Sequence, residues 1–312
     1  MGPSGRRARP GRLRHDRWRH HRPTERSRSA RRCAACPPGL RRRADERGDR
    51  VTRRIVRTGQ ASIDTRVDGN GPPVLVIPSY GRDAGPDFDP LAAALVAAGY
   101  RVLRPEPRGV AGSSGPMSGV TFADMARDIA DVIDNVADGP AVILGHAFGN
   151  FVARATAVHH TDSVAAAILA AASGKTVDAR INTAPMRAGD VTLPEETRMA
   201  ALRLAFFAPG HDPSPWLAGW YPETLAMQVD CVQHADIARY WGAGNAPVFE
   251  IIAACDPFHQ RDEWGDLRAR YGDRVTTTVI DDASHALFPE QPDAVAAAVV
   301  DYLRTVEYVA RR

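Results

Sequence analysis

Lysine is almost missing from this sequence: Lys+Arg totals 40, and Lys175 is the one lysine among them. Such arginine-heavy usage points to a GC-rich coding sequence. Cysteine is scarce as well. Four residues, Cys33, Cys36, Cys231 and Cys255, are too few and too scattered to staple a chain of 312 residues with disulfides. A reducing compartment is therefore compatible. Cys33 and Cys36 form a lone C-x-x-C with no second pair at zinc spacing and no βαβ pattern around it, so no metal or redox role is assigned to it. Uninterrupted apolar stretches are short. A membrane-spanning helix requires roughly 18 residues without charge, whereas Ala165 to Ala172 is the longest such run and has the length of an interior strand. No phosphate-cradling loop, dinucleotide fingerprint or cluster of metal ligands is present, so the expectation is a small-molecule substrate and no cofactor. An apolar secretory core is missing too, and a cytoplasmic location is expected by default.

What is plentiful is arginine at the start. Residues 1–50 hold seventeen arginines against five acids, while the whole chain has a formal net charge of only +3, so the remainder is net negative. An Arg-rich segment can bind phosphate, but this one has no interleaved aromatics and no groove-binding motif. It is read as a disordered extension with no nucleic-acid partner and no membrane partner. Globular patterning begins abruptly at Val51, which is expected to be the true translation start.

From there the chain alternates. Ile55 to Arg57 and Ala61 to Val67 read as an opening antiparallel pair closed by Asp68-Gly69-Asn70-Gly71. Val74 to Ile77 is a continuous β-branched and aliphatic run, as a strand buried on both faces requires. Leu91 to Ala98 is an Ala-rich helix and Tyr100 to Leu103 a strand. Thr121 and Asp124 stand at capping-box spacing before a helix whose one apolar face is Met125, Ile129, Val132, Ile133 and Val136. Ala141 to Leu144, a helix over Phe151 to Val158, and Val164 to Leu169 continue the βα order. The pattern then stops between residues 176 and 245, a helical stretch bearing Trp216, Trp220, Tyr221 and Trp241. It resumes with Val248 to Ala253, a helix near Glu263 to Tyr271, Val275 to Ile280 and a terminal helix over Asp293 to Leu303. Repeated βα units with short connections imply an α/β fold around a mostly parallel, doubly wound sheet. Residues 51–175 and 246–312 form its core, and residues 176–245 are expected to be an inserted helical cap.

Four local patterns carry chemistry. Leu144-Gly145-His146-Ala147-Phe148-Gly149-Asn150 is a strand that runs at once into G-x-A-x-G and a helix, with glycines where side chains would collide. Asp256 lies just beyond the strand that follows the insertion. His285 lies just beyond the last strand. Pro78-Ser79-Tyr80-Gly81-Arg82 follows the first buried strand, and Glu106-Pro107-Arg108-Gly109 follows the next. Over roughly residues 52–305 the chain resembles the α/β-hydrolase superfamily. That resemblance implies a nucleophile elbow at Ala147, an acid at Asp256 and a histidine at His285, in the family order and at the carboxyl ends of parallel strands. It also implies an oxyanion hole made by the Phe148 N–H with one from Tyr80 or Gly81. Asp281 and Asp282 compete with Asp256 for the histidine. His146 is read as a packing and positioning residue, and Arg82, Asp83 and His285 as the charges of a site lined by Tyr80, Phe148 and the cap tryptophans.

The departure is Ala147, because a methyl group cannot attack a carbonyl or exchange a proton with histidine. Three readings follow. A naturally serine-free enzyme would use His285 as general base on a water or on an acidic substrate proton; an ordinary esterase would have had its serine replaced by alanine; a binding protein would keep the pocket without turnover. The surviving Asp and His, and the Ser79-Tyr80 pair in place of the family's His-Gly, favour the first. Ser79 sits in the oxyanion loop and is set aside as a displaced nucleophile.

Overall fold

In the computed structural model, which describes residues 52–310, aliphatic residues alternate across each central strand and both faces are covered. The Arg-rich segment 1–50 with its Cys33 and Cys36, and Val51, lie outside the described residues. Strand β1 (Thr52–Arg57) pairs antiparallel with β2 (Ser62–Asp68). After β3 (Pro73–Ile77) come α1 (Asp89–Ala97), β4 (Arg101–Pro105), α2 (Phe122–Val136), β5 (Ala141–His146), α3 (Gly149–His159) and β6 (Val164–Ala170). Four helices follow, α4 (Ala179–Asn182), α5 (Ala184–Gly189), α6 (Glu195–Ala205) and α7 (Pro222–His234). The chain then returns to the sheet with β7 (Val248–Ala253), α8 (Asp266–Tyr271), β8 (Val275–Ile280), α9 (Leu287–Glu290) and α10 (Pro292–Ala310). The eight strands lie in the order β1-β2-β4-β3-β5-β6-β7-β8 and are parallel from β4 onward.

Because successive side chains on a strand point to opposite faces, Leu75, Ile77 and Ile143 pack under α2 and α3, whereas Val74, Val76, Val142 and Leu144 pack under α1 and α10. Thr121 accepts from the Asp124 N–H while the Asp124 carboxylate accepts from the Thr121 N–H, the reciprocal capping expected at the start of α2. Several boundaries differ from the sequence expectation, β1 starting at Thr52 and α10 running on to Ala310 among them. Helix α3 begins at Gly149, directly after the elbow, and the helix expected near Glu263 to Tyr271 is broken. Gly265 adopts φ +117°, which ends the 3₁₀ turn Arg261–Glu263 and restarts the chain as α8.

The insertion between β6 and β7 has its own apolar core of Ile181, Leu202, Phe206, Phe207, Trp216 and Trp220, into which Phe258 and Ala286 also pack. Phe258 is two residues past Asp256 and Ala286 is next to His285. The Ala286 N–H donates to the Phe206 carbonyl at 2.8 Å. The buried Glu290 accepts from Ala208 N–H at 2.6 Å and from Ser284 N–H at 2.7 Å. The insertion is thus bound to the loops that leave β7 and β8. No helix among the described residues is long and apolar enough to cross a membrane.

Candidate active site

Strand β5 ends in a turn that holds Ala147 at φ +49°, a left-handed conformation that costs an ordinary L-residue roughly 1–2 kcal/mol. Its N–H donates to the Ala170 carbonyl at 3.0 Å and its carbonyl accepts from the Asn150 N–H at 3.0 Å. The flanking glycines are sterically required. A Cβ on Gly145 would run into the Gly149 carbonyl, and one on Gly149 would lie 2.5 Å from the Ile77 carbonyl oxygen. The strained backbone of an elbow is therefore kept although its apex carries no hydroxyl.

His285 and Asp256 come together beside it. Nδ1 of His285 lies 2.9 Å from Asp256 Oδ2, with both side chains buried. The other Asp256 oxygen accepts from the Phe258 N–H at 2.9 Å, which fixes the carboxylate plane. A carboxylate accepts only, so Nδ1 donates and Nε2 is left with its lone pair. Nε2 has no hydrogen-bond partner among the described residues. The ring lies against Phe258, centroid to centroid 4.1 Å, and Phe206 meets it edge-on at 5.6 Å. Asp281 and Asp282 are exposed, and Asp282 contacts His211 and Gln291 instead.

The oxyanion loop corrects one expectation. The Gly81 N–H, one of the expected donors, is taken by Oε1 of the buried Gln228 at 2.7 Å. Of the three expected donors, the Tyr80 and Phe148 N–H groups carry no hydrogen bond among the described residues. The Tyr80 ring rests on Phe148 at 4.6 Å, and burial pushes its phenol up, so it stays neutral. Arg82 and Asp83 are not site charges. Arg82 turns into the insertion, where it donates to the Ala218 carbonyl at 2.6 Å and stacks over Trp216 at 4.4 Å. Asp83 accepts from the Tyr221 hydroxyl at 3.1 Å. No sequence signal distinguished this tethering loop from a charged rim, because Gln228 and Ala218 lie more than a hundred residues away.

A cavity of about 530 Å³ opens over the elbow. Ser79, Tyr80, Ala147, Phe148 and His285 face it, with Phe206, Val229 and Trp241. Trp216 and Trp220 do not line it; they are buried in the insertion core. The charges that do line it are Lys175 and Arg270, which the sequence reading passed over.

Residues 72–208 match the family described as alpha/beta hydrolase fold. BpoC of Mycobacterium tuberculosis, a protein assigned by name to the non-heme bromoperoxidases, is 30% identical over 261 residues, which cover 77% of this chain and 97% of BpoC. The chain belongs to the α/β-hydrolase family. The BpoC crystal structure superposes with a TM-score of 0.64 at 26% identity, covering 78% of this chain and 96% of that one. RutD of Variovorax paradoxus, assigned by name to the carbamate hydrolases, is 33% identical over 107 residues, 34% of this chain and 40% of RutD. The enol-lactonase from Burkholderia xenovorans shares the fold, with a TM-score of 0.65 at 21% identity over 80% of this chain and all of that one.

Within this α/β hydrolase the residue before the elbow apex has a definite task. His146 Nε2 lies 2.7 Å from the His285 carbonyl oxygen, so Nε2 carries the proton and the ring props the histidine loop from below. Burial, with the neighbouring His285, pushes the His146 imidazole down to about 3. Such a group is neutral when folded but takes up a proton near 6.5 when unfolded. The stability it contributes is full above about pH 6.5 and drains as pH falls toward 3, by up to about 1.4 kcal/mol per pH unit. Buried Glu106, Glu250 and Glu290 are raised by burial and act in the opposite sense. They cancel when two proteins that share them are compared. Urea unfolding at stepped pH should therefore show the parent losing its advantage over His146→Gln on acidification; parallel curves would refute the assignment.

Proposed function

We propose that this α/β hydrolase acts on a small, partly apolar ester or carbonyl compound, with His285 and Asp256 as general base and a two-donor oxyanion pocket, and without a serine nucleophile. The observation that carries the reading is the aligned Asp256–His285 pair, its unpartnered Nε2 in a cavity whose elbow apex is the methyl of Ala147. A methyl leaves the volume of the missing oxygen free, and a water there is activated by Nε2. The imidazole removes the water's proton as its oxygen bonds to the carbonyl carbon, and the carbonyl π electrons move to oxygen, where the Tyr80 and Phe148 N–H groups receive them. On collapse the bond to the leaving oxygen breaks and that oxygen takes the proton back from His285. Residues 176–245 act as a cap that admits substrate, being tied to both the oxyanion loop and the histidine loop. The relative named as a carbamate hydrolase supports a carbonyl substrate.

Ala147→Ser, assayed on p-nitrophenyl esters, tests this directly. The expected result is that the alanine form has turnover of its own that depends on His285 and the serine form gains little, because the Ser79-Tyr80 loop is shaped for another oxyanion. A silent alanine form, with strong esterase activity and an organophosphate-reactive serine in the variant, would instead identify an ordinary esterase that has lost its serine. Silence from both, with ligands still raising Tm, would identify a binding protein.

A further inference from the structure

Two full positive charges line the cavity and the reaction above uses neither. Lys175 belongs to the loop after β6 and Arg270 to α8, and no Asp or Glu is among the lining residues. This is not the local average, since beyond residue 50 the acids of this chain outnumber its bases. The two cations also differ in how far they are committed. The Lys175 ammonium is paired with Asp266, and Glu263 accepts from the Lys175 and Thr176 N–H groups, so the loop is anchored and its charge partly neutralised. An ammonium has three donors, and one carboxylate does not exhaust them. Arg270 has no carboxylate partner among the described residues, whereas on the same segment Arg268 reaches Asp273 and Arg274 donates to the Ala246 and Gly242 carbonyls. Ser173, Asn182 and Gln233, also in the lining, are neutral hydrogen-bonding groups.

The reacting groups enter the cavity from other elements: Tyr80 follows β3, Ala147 and Phe148 follow β5, and His285 follows β8. Much of the remaining lining is apolar, Trp241, Val232 and Phe151 among it. One uncompensated cation and one half-compensated cation in the same lining suit a single negative charge. The planar guanidinium fork matches a carboxylate, which it can hold through two parallel hydrogen bonds.

We propose that the cavity selects substrates in which the reacting ester or carbonyl is joined by a short apolar chain to a carboxylate, and that Arg270, seconded by Lys175, is the specificity-determining contact for that carboxylate. The substrate class deepens the general-base reading and depends on it for turnover, but the binding preference does not.

The experiment is therefore one of binding, made in the His285→Gln protein so that no ester is consumed. Calorimetric Kd values are measured for monomethyl adipate and for dimethyl adipate, which differ in one charge and share the chain. Monomethyl adipate is expected to bind about tenfold more tightly, the size of one charge-assisted contact in a cavity open to water. Arg270→Gln with Lys175→Gln should bring the ratio to about one, and added salt should shrink the ratio in the protein that retains both cations, because open charges are screened. Both side chains are exposed enough for the substituted protein to fold, and the salt series supplies the same answer without substitution. Equal affinities, a preference that survives the double substitution, or no binding of either ester would overturn the proposal. Turnover of both esters by the His285 parent is recorded in parallel. A preference without turnover sinks the general-base mechanism and leaves this inference standing; turnover without preference does the reverse.

Discussion

In the His285→Gln protein, hydrolysis of p-nitrophenyl acetate is expected to fall by roughly 10²–10⁴ relative to the parent, the range that a positioned general base contributes. Glutamine keeps much of the volume between Phe258 and Phe206 and can donate to Asp256, so the loop geometry survives. What it lacks is a basic nitrogen at the position of Nε2. Among the described residues that line the cavity there is no carboxylate and no second imidazole; Tyr80 is held neutral by burial, and His146 uses its Nε2 proton on the His285 carbonyl. Asp256→Asn should lose nearly as much, because an amide donating to Nδ1 forces the proton onto Nε2 and leaves the wrong tautomer facing substrate. The measurement is the initial rate above buffer at neutral pH, with folding checked by urea melts. Activity that persists in both variants would show that the pair is structural.

The second large effect is on stability. Arg108 and Asp128 form a buried two-pronged pair, Nε to Oδ2 at 2.7 Å and Nη2 to Oδ1 at 3.1 Å, and Asp128 also accepts from the Thr58 hydroxyl at 2.7 Å. The pair ties the turn after β4 to α2, and the Arg108 carbonyl in turn accepts from Thr224 in α7. Asp128→Leu leaves a buried guanidinium whose remaining partner among the described residues is the Pro116 carbonyl, at 3.3 Å. The expected cost is about 3–5 kcal/mol, because removing one member of a buried ion pair strands the other without water. Arg108→Met in the same chain should restore much of that loss, since no charge then remains to be solvated. Urea midpoints of the parent, the single variant and the double variant measure this. A double variant less stable than Asp128→Leu alone would show that the arginine stabilises the fold by some means other than this pair.

Much of the architecture was legible because it is written in local patterns. Aliphatic runs separated by amphipathic helices announced the parallel sheet, Thr121 and Asp124 announced the start of α2, and Gly145 and Gly149 framed the elbow since a Cβ at either collides with backbone. The errors have a common cause. The helix near Glu263 was drawn through Gly265, where a positive φ interrupts it. Gly81, Arg82 and Asp83 were assigned to the site from their place in the chain, although their partners are in the insertion. Lys175 and Arg270 were overlooked because nothing in sequence joins a loop after β6 to a helix before β8.

The sequence by itself determined the family, the order of the elements, the absence of a nucleophilic side chain at position 147 and the identity of the acid and histidine candidates. Each of these depends on residue type at a position, which side-chain chemistry and backbone sterics decide locally. Only the tertiary structure decided which carboxylate meets His285, which N–H groups stay free for an oxyanion, and which charges face the cavity. Those outcomes are contacts between segments far apart in the chain: Asp256 reaches His285 across 29 residues, Gly81 is claimed by Gln228 across 147, and Arg82 leaves for Ala218 across 136. A hydrogen-bonding group can serve one partner or another according to what folding brings within about 3 Å of it, and that competition is settled by packing.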